Sequence, residues 1–443
     1  MTATILAQVD ALFAAPLPDD VVEWSRHCVL DWLGVALAGA EDKLTLALRD
    51  EARDEGGRPV ASVLFHGDKT SPSLAALVNA AMADALDFSD ANPNIHGHTT
   101  PAIVAAALAV AEAKGASGRA LLEAIVVGIE VACRVGLLAH GRLHPGGFHP
   151  TGTTVVFGAA AAASRLLGLD AGQRGHALGL AATQGAGLVA SAGSMAKPLH
   201  SGKAAMNGIL AASLAARGFT GRSDAIEAPG GFLSAHVRDW SPASLMACDG
   251  RFLIRDTRFK AHAACALTHS SIENMLTLTR QHAVAPAAVE QIEIRVPNSS
   301  MGVCNIAEPR TSLEAKFSLR TVAAMALLGD ATGDINAYDV ERVLRPEVKQ
   351  LASRISVSGH DDLDGGAAVA IAALTDGRTL TERYDSYTAK VDLAAQRDAL
   401  GCKFYALVTP MLGETRAARL AETVFVLDRA GSVTPLVALS ANG

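Results

Sequence analysis

The spacing of apolar residues predicts helix after helix over residues 1–258. Over residues 19–38, apolar side chains recur every three or four positions, and Gly39 follows where such a helix would end. Pro101 stands where the first turn of a helix tolerates proline, and Gly115 closes the alanine-rich run behind it. Residues 170–173 resemble a capping box at another helix start.

The pattern changes near residue 290, where polar and apolar residues begin to alternate. Alternation with a period of two is typical of half-buried β-strands. Four runs are predicted to be strands: 291–296, 354–358, 367–374 and 378–384. The residues Thr375-Asp376-Gly377 between the last two runs predict a hairpin turn. After Gly401 the helical periodicity returns.

These patterns predict a mainly α fold made of two unequal parts. We expect a large all-helical domain over residues 1–258 and a smaller α+β domain over residues 259–400. A C-terminal segment, residues 401–443, is predicted to pack back on the helical domain. A length of 443 residues suffices for two or three domains and for a sizeable core.

Composition narrows the class of protein. Hydrophobic residues make up 50% of the chain and charged residues only 19%, which excludes a disordered chain. The mean hydropathy of +0.25 raises the question of a membrane span. However, Glu123, Glu130 and Arg134 interrupt the best candidate stretch. We therefore expect buried helices of a soluble protein and no membrane partner.

The net charge and the cysteine content limit which partners and which cellular compartment are expected. The net charge is −7 and no basic block stands out, so nucleic acid is not an expected partner. The six cysteines form no CxxC pair, and the first basic residue is Arg26. These features predict reduced thiols, no signal peptide and a cytoplasmic location. The glycine-rich stretch 193–203 lacks the spacing of a phosphate loop, so no nucleotide cofactor is expected.

Acidic residues and histidines cluster after a run of small, apolar residues. Asp84, Asp87 and Asp90 share roughly one helical face if the helix continues that far. His96 and His98 follow on either side of one glycine, an arrangement that could ligate a metal. The alternative is a helix end with solvated acids and two loop histidines. Both interpretations stay open at this point.

Three further residues carry candidate chemistry. His149 precedes a predicted helix start, where the helix dipole lowers the proton affinity of an imidazole and backbone N–H groups suit a carboxylate. Lys197 lies among small residues, and His269 opens a helix at the predicted domain boundary, a frequent place for ligands. An ordinary glycine-rich loop and a solvated lysine are the alternatives for the first two.

Five short motifs, in order along the chain, resemble the MmgE/PrpD family. They are Asp-Trp-Leu-Gly at 31–34, Leu-Asp-Phe at 86–88, Gly-Phe-His at 147–149, Lys-Pro-Leu-His-Ser-Gly at 197–202 and Thr-His at 268–269. That family includes 2-methylcitrate dehydratase, cis-aconitate decarboxylase and iminodisuccinate epimerase. The resemblance implies a helical domain with a smaller α+β lid, a homodimer, and an active site between the domains. It implies neither a metal nor an organic cofactor.

Carried over by motif, the resemblance implies five catalytic residues: Asp87, His98, His149, Lys197 and His269. His96 competes with His98, because the match there depends on a one-residue shift. Substrate contacts are assigned to four residues: Lys197, His96, Thr151 and Thr321. Two departures remove hydroxyl groups, since Ala91 replaces a threonine of the family pattern and Thr321 replaces a tyrosine. Both departures weigh against the decarboxylase and methylcitrate activities.

The residue set predicts an enzyme that moves a proton at a carbon next to a carboxylate. Histidine suits acid–base work near neutral pH, and a lysine or a helix start binds carboxylates. Our leading hypothesis is a cofactor-independent lyase of the dehydratase type that acts on a small di- or tricarboxylate. His149 or His269 would be the base and Lys197 would hold a carboxylate. Asp87 would orient His98 or join the acid step.

Four other functions are weighed against this dehydratase-type lyase. An epimerase of a dicarboxylate such as iminodisuccinate, or a decarboxylase, would use the same kind of site. A metal hydrolase would use Asp87, His96 and His98. A helical binding protein would use none of them for catalysis. The enzymatic hypotheses require the fold to bring residues that are distant in sequence together at the junction of the two domains.

Overall fold

A computed structural model describes residues 5–139, 141–238, 240, 250–388 and 392–442. Up to residue 238 the regular secondary structure of the described residues is helical, apart from one short ribbon. The helices are Ile5–Ala14, Asp19–Ala38, Lys43–Glu55, Pro72–Asp84, Thr100–Lys114, Gly118–Leu138, Pro150–Thr153, Val155–Leu167, Ala171–Ala182, Ala196–Ala216 and Phe232–His236. A short antiparallel ribbon joins Ala61–Ser62 to Lys69–Thr70. The mainly α fold class is thus confirmed.

The helix boundaries follow the capping residues that the sequence shows. Asp170 and Gln173 form both hydrogen bonds of a capping box at the start of the Ala171–Ala182 helix. Gly115 ends the Thr100–Lys114 helix in the left-handed conformation, with a φ of 63°. Both were predicted, because capping chemistry is local and needs no knowledge of the tertiary fold.

Small residues allow these helices to pack with little space between their backbones. Gly128 and Gly158 face each other across two neighbouring helices, Gly118–Leu138 and Val155–Leu167. A Cβ atom added at Gly158 would lie 2.5 Å from the carbonyl oxygen of Gly128. Because real atoms do not approach so closely, only glycine fits at this crossing.

The substitution Gly158→Ala is expected to destabilise the protein by about 1–3 kcal/mol, the usual cost of overpacking a core. Gly401→Ala is the matched control, because Gly401 lies inside the Leu393–Leu412 helix with no atom near its missing side chain. We expect it to stabilise the protein by about 0.5–1 kcal/mol, since glycine is a poor helix former. Urea unfolding measures both changes, and equal midpoints for the two variants would contradict this packing.

A four-stranded mixed sheet forms the core of the second part. Its strands, in spatial order, are Ile355–His360, Val289–Pro297, Ala367–Leu374 and Thr379–Asp385. The first pair is parallel and the other two pairs are antiparallel. All four predicted strands and the hairpin turn at Gly377 are therefore present. The His269–Arg280 helix packs against the sheet.

The remaining helices flank the sheet or return to the helical part. They are Asn298–Met301, Ser312–Ala315, Leu319–Leu327, Val340–Val343, Pro346–Ala352, Leu393–Leu412, Glu414–Phe425 and Thr434–Leu439. None of the helices that the structure describes has the length and apolar character needed to cross a bilayer.

The C-terminal helical segment begins earlier than predicted. Asp392 caps the Leu393–Leu412 helix by accepting hydrogen bonds from two backbone N–H groups, so the boundary placed at residue 401 falls inside a helix. Gly401 interrupts the sequence pattern without breaking the helix. Phe404 of this helix packs against Gly34, so the segment does pack back on the helical part. The division into two domains and the lid role of the second stay predictions.

Candidate active site

A cavity of about 330 Å³ lies where the helical part meets the sheet part. The helical side contributes five of the residues that the sequence singled out: Asp87, His96, His98, His149 and Lys197. The sheet side contributes Cys265, Pro297, Phe317 and Tyr387. The fold therefore brings four of the five predicted catalytic residues to one cavity.

Two aspartates and two lysines form a buried ionic cluster beside this cavity. Asp84 ends the Pro72–Asp84 helix, and Asp87 follows in a left-handed conformation with a φ of 52°. The Lys197 ammonium donates to Oδ1 of Asp87 at 2.6 Å and to Oδ1 of Asp84 at 2.9 Å. Lys260 donates to the carbonyl oxygen of Asp87 at 2.6 Å and to its Oδ2 at 3.1 Å. Asp87 is thus held by two cations.

The cluster keeps Asp87 and Lys197 charged. Burial opposes ionisation of Asp87, but the charges of Lys197 and Lys260 outweigh it and hold the pKa of this carboxyl well below its usual range. Burial likewise opposes the charge of Lys197, yet Asp84 and Asp87 raise its pKa above the ordinary value. An ammonium group has three N–H donors, and the described residues accept from two of those of Lys197, so the third can bond to a substrate.

The same cluster bears on the metal hypothesis. Ligand atoms of Asp84, Asp87 and His98 lie within 4.8 Å of one another, close enough to share an ion. However, the Lys197 ammonium already bonds to both carboxylates, so a divalent ion would have to displace it. His96, the third ligand of the predicted hydrolase, packs its ring against Gly141 instead. The geometry fits an internal ammonium better than a metal.

The hydrogen bonds of His98 determine which of its nitrogens carries the proton. Its Nδ1 lies 2.5 Å from the backbone carbonyl of Asp90. Because a carbonyl can only accept, Nδ1 must carry the hydrogen, and the Nε2 of the neutral ring is an unprotonated acceptor. Burial, followed by the charge of Lys197, lowers the pKa of His98 below the ordinary value. His98 is therefore a neutral imidazole with a basic Nε2.

Asp90 has a structural role that differs from that of the other two aspartates. Its carboxylate accepts hydrogen bonds from the N–H and hydroxyl groups of Thr99 and Thr100, at the start of the Thr100–Lys114 helix. The three aspartates do not share one helical face, because the helix ends at Asp84. The carbonyl of Asp90 orients His98. Of the two roles predicted for Asp87, orienting His98 or joining the acid step, the first is thus taken by another group.

His149 is the second buried imidazole of the cavity. It occupies the cap position before the short Pro150–Thr153 helix, as the sequence indicated. Its Nδ1 lies 2.9 Å from Nδ1 of His200, and its ring centroid lies 6.4 Å from that of His98. Burial, followed by the charge of Lys197, lowers its pKa well below the ordinary value. Two neutral histidines thus line the same cavity.

Three other predicted residues lie outside the described lining of this cavity. Thr151 is buried behind it, and its hydroxyl accepts from the backbone N–H of His98 at 3.0 Å. His269 lines a neighbouring cavity of about 620 Å³ together with Lys260. Thr321 lies in a third cavity, where its hydroxyl accepts from Ser318. The position of Thr321 does not support its assignment as a substrate contact.

The sequence reasoning missed three residues that shape the site. Lys260 lies 173 positions from Asp87, and His200 lies 51 positions from His149. Tyr387 enters the cavity from the sheet part, where burial raises the pKa of its phenol, so the hydroxyl stays protonated. Only His200 left a signal, because it lies in the Lys-Pro-Leu-His-Ser-Gly motif at 197–202, whereas Lys260 and Tyr387 lie outside the five motifs.

Family comparisons cover most of the chain. The model of the MmgE/PrpD N-terminal domain matches residues 4–244, and that of the MmgE/PrpD C-terminal domain matches residues 262–429.

Similar proteins of known activity are found in animals and fungi. A cis-aconitate decarboxylase of Mus musculus is 28% identical over 434 residues, which span 93% of this chain and 87% of the relative. That of Homo sapiens is 29% identical over 430 residues, with 93% and 88% covered. One from Aspergillus terreus is 27% identical over 472 residues, with 99% and 95% covered. On the strength of both domain matches, the chain belongs to the MmgE/PrpD family.

Proposed function

We propose that this protein is a cofactor-independent lyase that acts on a small di- or tricarboxylate by moving a proton at a carbon next to a carboxylate. The observation that carries the proposal is His98, whose Nδ1 is tied to the carbonyl of Asp90. That bond presents a basic Nε2 in a cavity that also contains a permanent lysine cation. A general base and a fixed cation are the two groups that such a reaction needs.

The Lys197 ammonium is the group we assign to a substrate carboxylate. Its raised pKa keeps it charged, so it cannot act as a base near neutral pH. A positive charge beside the substrate carboxylate stabilises the negative charge that develops when the neighbouring carbon loses its proton. Two carboxylates fix Lys197 in place, so little reorganisation is needed during the reaction.

Two lyase reactions fit this site. The names of the relatives favour decarboxylation of cis-aconitate. Ala91 lines the cavity without a hydroxyl and Thr321 lies elsewhere, which weighs against decarboxylation and leaves elimination of water from a substrate other than methylcitrate as the second reaction. Tyr387 bears on the choice between decarboxylation and elimination of water. It brings a protonated phenol to the cavity from another part of the chain.

An epimerase is the second candidate function. His98 and His149 line the same cavity with ring centroids 6.4 Å apart. Inverting one carbon needs two acid–base groups on its opposite faces and no leaving group. A pair of neutral imidazoles could supply them.

A panel of substrates followed by NMR separates these reactions. The panel contains cis-aconitate, citrate, methylcitrate, malate, tartrate and iminodisuccinate. Loss of carbon dioxide identifies a decarboxylase and a new conjugated double bond identifies a dehydratase. Loss of optical rotation without new ultraviolet absorbance identifies an epimerase. The proposal fails if the folded protein changes none of them.

The pH dependence should reflect the lowered pKa values of the histidines. The base must be neutral to accept a proton, so kcat/KM falls only below the pKa of His98. Because burial lowers that pKa, we expect a level profile down to the ordinary histidine value of about 6.5 and a decline only at more acidic pH. A pH–rate profile with the best substrate measures this. A decline that begins above that value would contradict the assignment.

We also propose a cytoplasmic homodimer without metal or organic cofactor. The family resemblance supports the dimer. Four of the described cysteines, Cys28, Cys133, Cys265 and Cys304, are buried free thiols, which suits a reducing compartment. Light scattering of the purified protein tests the dimer, and elemental analysis tests for a metal.

A further inference from the structure

His200 is in direct contact with His149 but takes no part in the chemistry described so far. The two Nδ1 atoms lie 2.9 Å apart, and the ring centroids lie 5.1 Å apart. Gly187 packs closely on the His200 ring, since a Cβ atom there would lie 3.2 Å from its Nδ1. His149 lines the cavity, whereas His200 is half-buried on the Ala196–Ala216 helix.

A hydrogen bond between two Nδ1 atoms constrains both rings. One Nδ1 must donate and the other must accept, so the neutral pair shares a single hydrogen at this position. The ring that donates has a free lone pair on Nε2, and the ring that accepts carries its hydrogen on Nε2. The pair therefore has two forms, which differ in whether His149 presents a base or an acid to the cavity.

We propose that His200 relays protons between His149 and solvent, and so sets whether His149 acts as base or acid. In the base form, as in an epimerase that removes the proton from the face opposite His98, Nε2 of His149 takes a proton from the substrate while its Nδ1 hydrogen passes to Nδ1 of His200. His200 then releases its Nε2 hydrogen to water. One proton leaves the substrate, one enters solvent, and His149 ends in its acid form with a hydrogen on Nε2.

The surroundings of the two rings favour proton transfer from His149 to His200. Burial and the charge of Lys197 lower the pKa of His149 well below the ordinary value, so the buried ring does not keep an extra proton. Burial also lowers the pKa of His200, but the negative charge of Asp84 partly offsets this. A cation is therefore better tolerated on His200 than on His149, and the proton moves outward.

The test compares two histidine-to-asparagine variants, and it rests on the proposed lyase or epimerase chemistry. In His200→Asn the side-chain amide can still bond to Nδ1 of His149 but cannot relay a proton. We expect kcat to fall by roughly 10²-fold, the lower end of the range for an acid–base group, with KM little changed. Added imidazole should restore part of the rate. Wild-type kcat in this variant would overturn the relay.

His176→Asn is the matched control. His176 is a half-buried histidine whose Nδ1 bonds to the carbonyl oxygen of Gly221, away from the described cavity lining. We expect wild-type rates from it. A fall in kcat equal to that of His200→Asn would show that any such replacement disturbs the protein, and would overturn the relay.

A second measurement does not depend on a substrate, so it separates failure of the relay from failure of the proposed function. Nitrogen-15 NMR of histidine-labelled protein reports which ring nitrogens carry hydrogen. The relay predicts one Nδ1–H and one Nε2–H ring in the His149–His200 pair, with His149→Gln and His200→Asn used to assign the signals. Two Nε2–H rings would exclude a shared hydrogen and overturn the relay, whatever the panel of carboxylates shows.

Discussion

The substitution His98→Asn is expected to lower kcat by about 10²–10⁴-fold, the range for an acid–base residue, while KM changes little. The asparagine amide can replace Nδ1–H in the hydrogen bond to the carbonyl of Asp90, so the local structure is kept. What the variant loses is Nε2, the atom to which we assign the proton transfer. Steady-state kinetics with the best substrate of the panel measures the effect.

His66→Gln is the control for this variant. His66 bonds to the carbonyl oxygen of Ala40 through its ring and lies outside the described cavity lining, so its replacement should leave both constants unchanged. His96→Asn provides a comparison within the cavity, because His96 competes with His98 for the same role. If His96→Asn loses kcat and His98→Asn does not, the base is His96 and the assignment made from the Asp90 carbonyl is wrong.

The substitution Lys197→Ala is expected to raise KM strongly and to destabilise the fold. Removing one partner of a buried ion pair leaves an uncompensated charge and costs about 3–5 kcal/mol. Here Asp84 loses its ammonium partner, whereas Asp87 keeps Lys260. Kinetics and urea unfolding measure the two effects separately. Lys197→Arg should recover only part of the binding, because a guanidinium is larger and planar.

Two further variants sharpen this test. Adding Asp84→Asn to Lys197→Ala removes the unpaired carboxylate, so the double variant should be more stable than the single one. Lys203→Ala is the matched control, because Lys203 is an exposed lysine of the same helix and its loss should cost less than about 0.5 kcal/mol. A collapse of kcat in Lys197→Ala with unchanged KM would contradict the binding role and make Lys197 a proton-transfer group.

The sequence predicted much of the fold, because the patterns that indicate helix starts and strands are local. An apolar run before the turn Thr375-Asp376-Gly377 predicted the strand at 367–374 with its correct bounds, and the capping box at Asp170 predicted a helix start. The boundary at residue 401 was misplaced, because glycine lowers helix propensity without forbidding a helix whose neighbours pack well. Phe404 supplies that packing against the first long helix, Asp19–Ala38, a contact that no local pattern shows.

The sequence indicated which residues form the candidate site, but not the hydrogen bonds and ion pairs that join them. Motifs led to Asp87, His98, His149 and Lys197, which share one cavity. A backbone carbonyl accepts the hydrogen bond that orients His98. Because every residue has such a carbonyl, the sequence does not indicate which one is used. The remaining partners are brought in by the tertiary fold.

Two residues assigned to the site, His269 and Thr321, are not among the described lining residues of this cavity. The Thr-His motif led to His269, and Thr321 stands where the family pattern has a tyrosine, but neither match shows which cavity a side chain reaches. His269 lies with Lys260 in the neighbouring cavity, and Thr321 turns its hydroxyl to the start of its own helix.

Proton transfer at a carbon next to a carboxylate is the central claim, and deuterium exchange tests it most directly. Each carboxylate of the panel is incubated with the protein in deuterated water and followed by NMR. We predict that the wild-type protein places deuterium on that carbon in at least one of them. In His98→Asn, the exchange should be slower by at least roughly 10²-fold. Exchange that is absent from every carboxylate, or equally fast in both proteins, would contradict the claim.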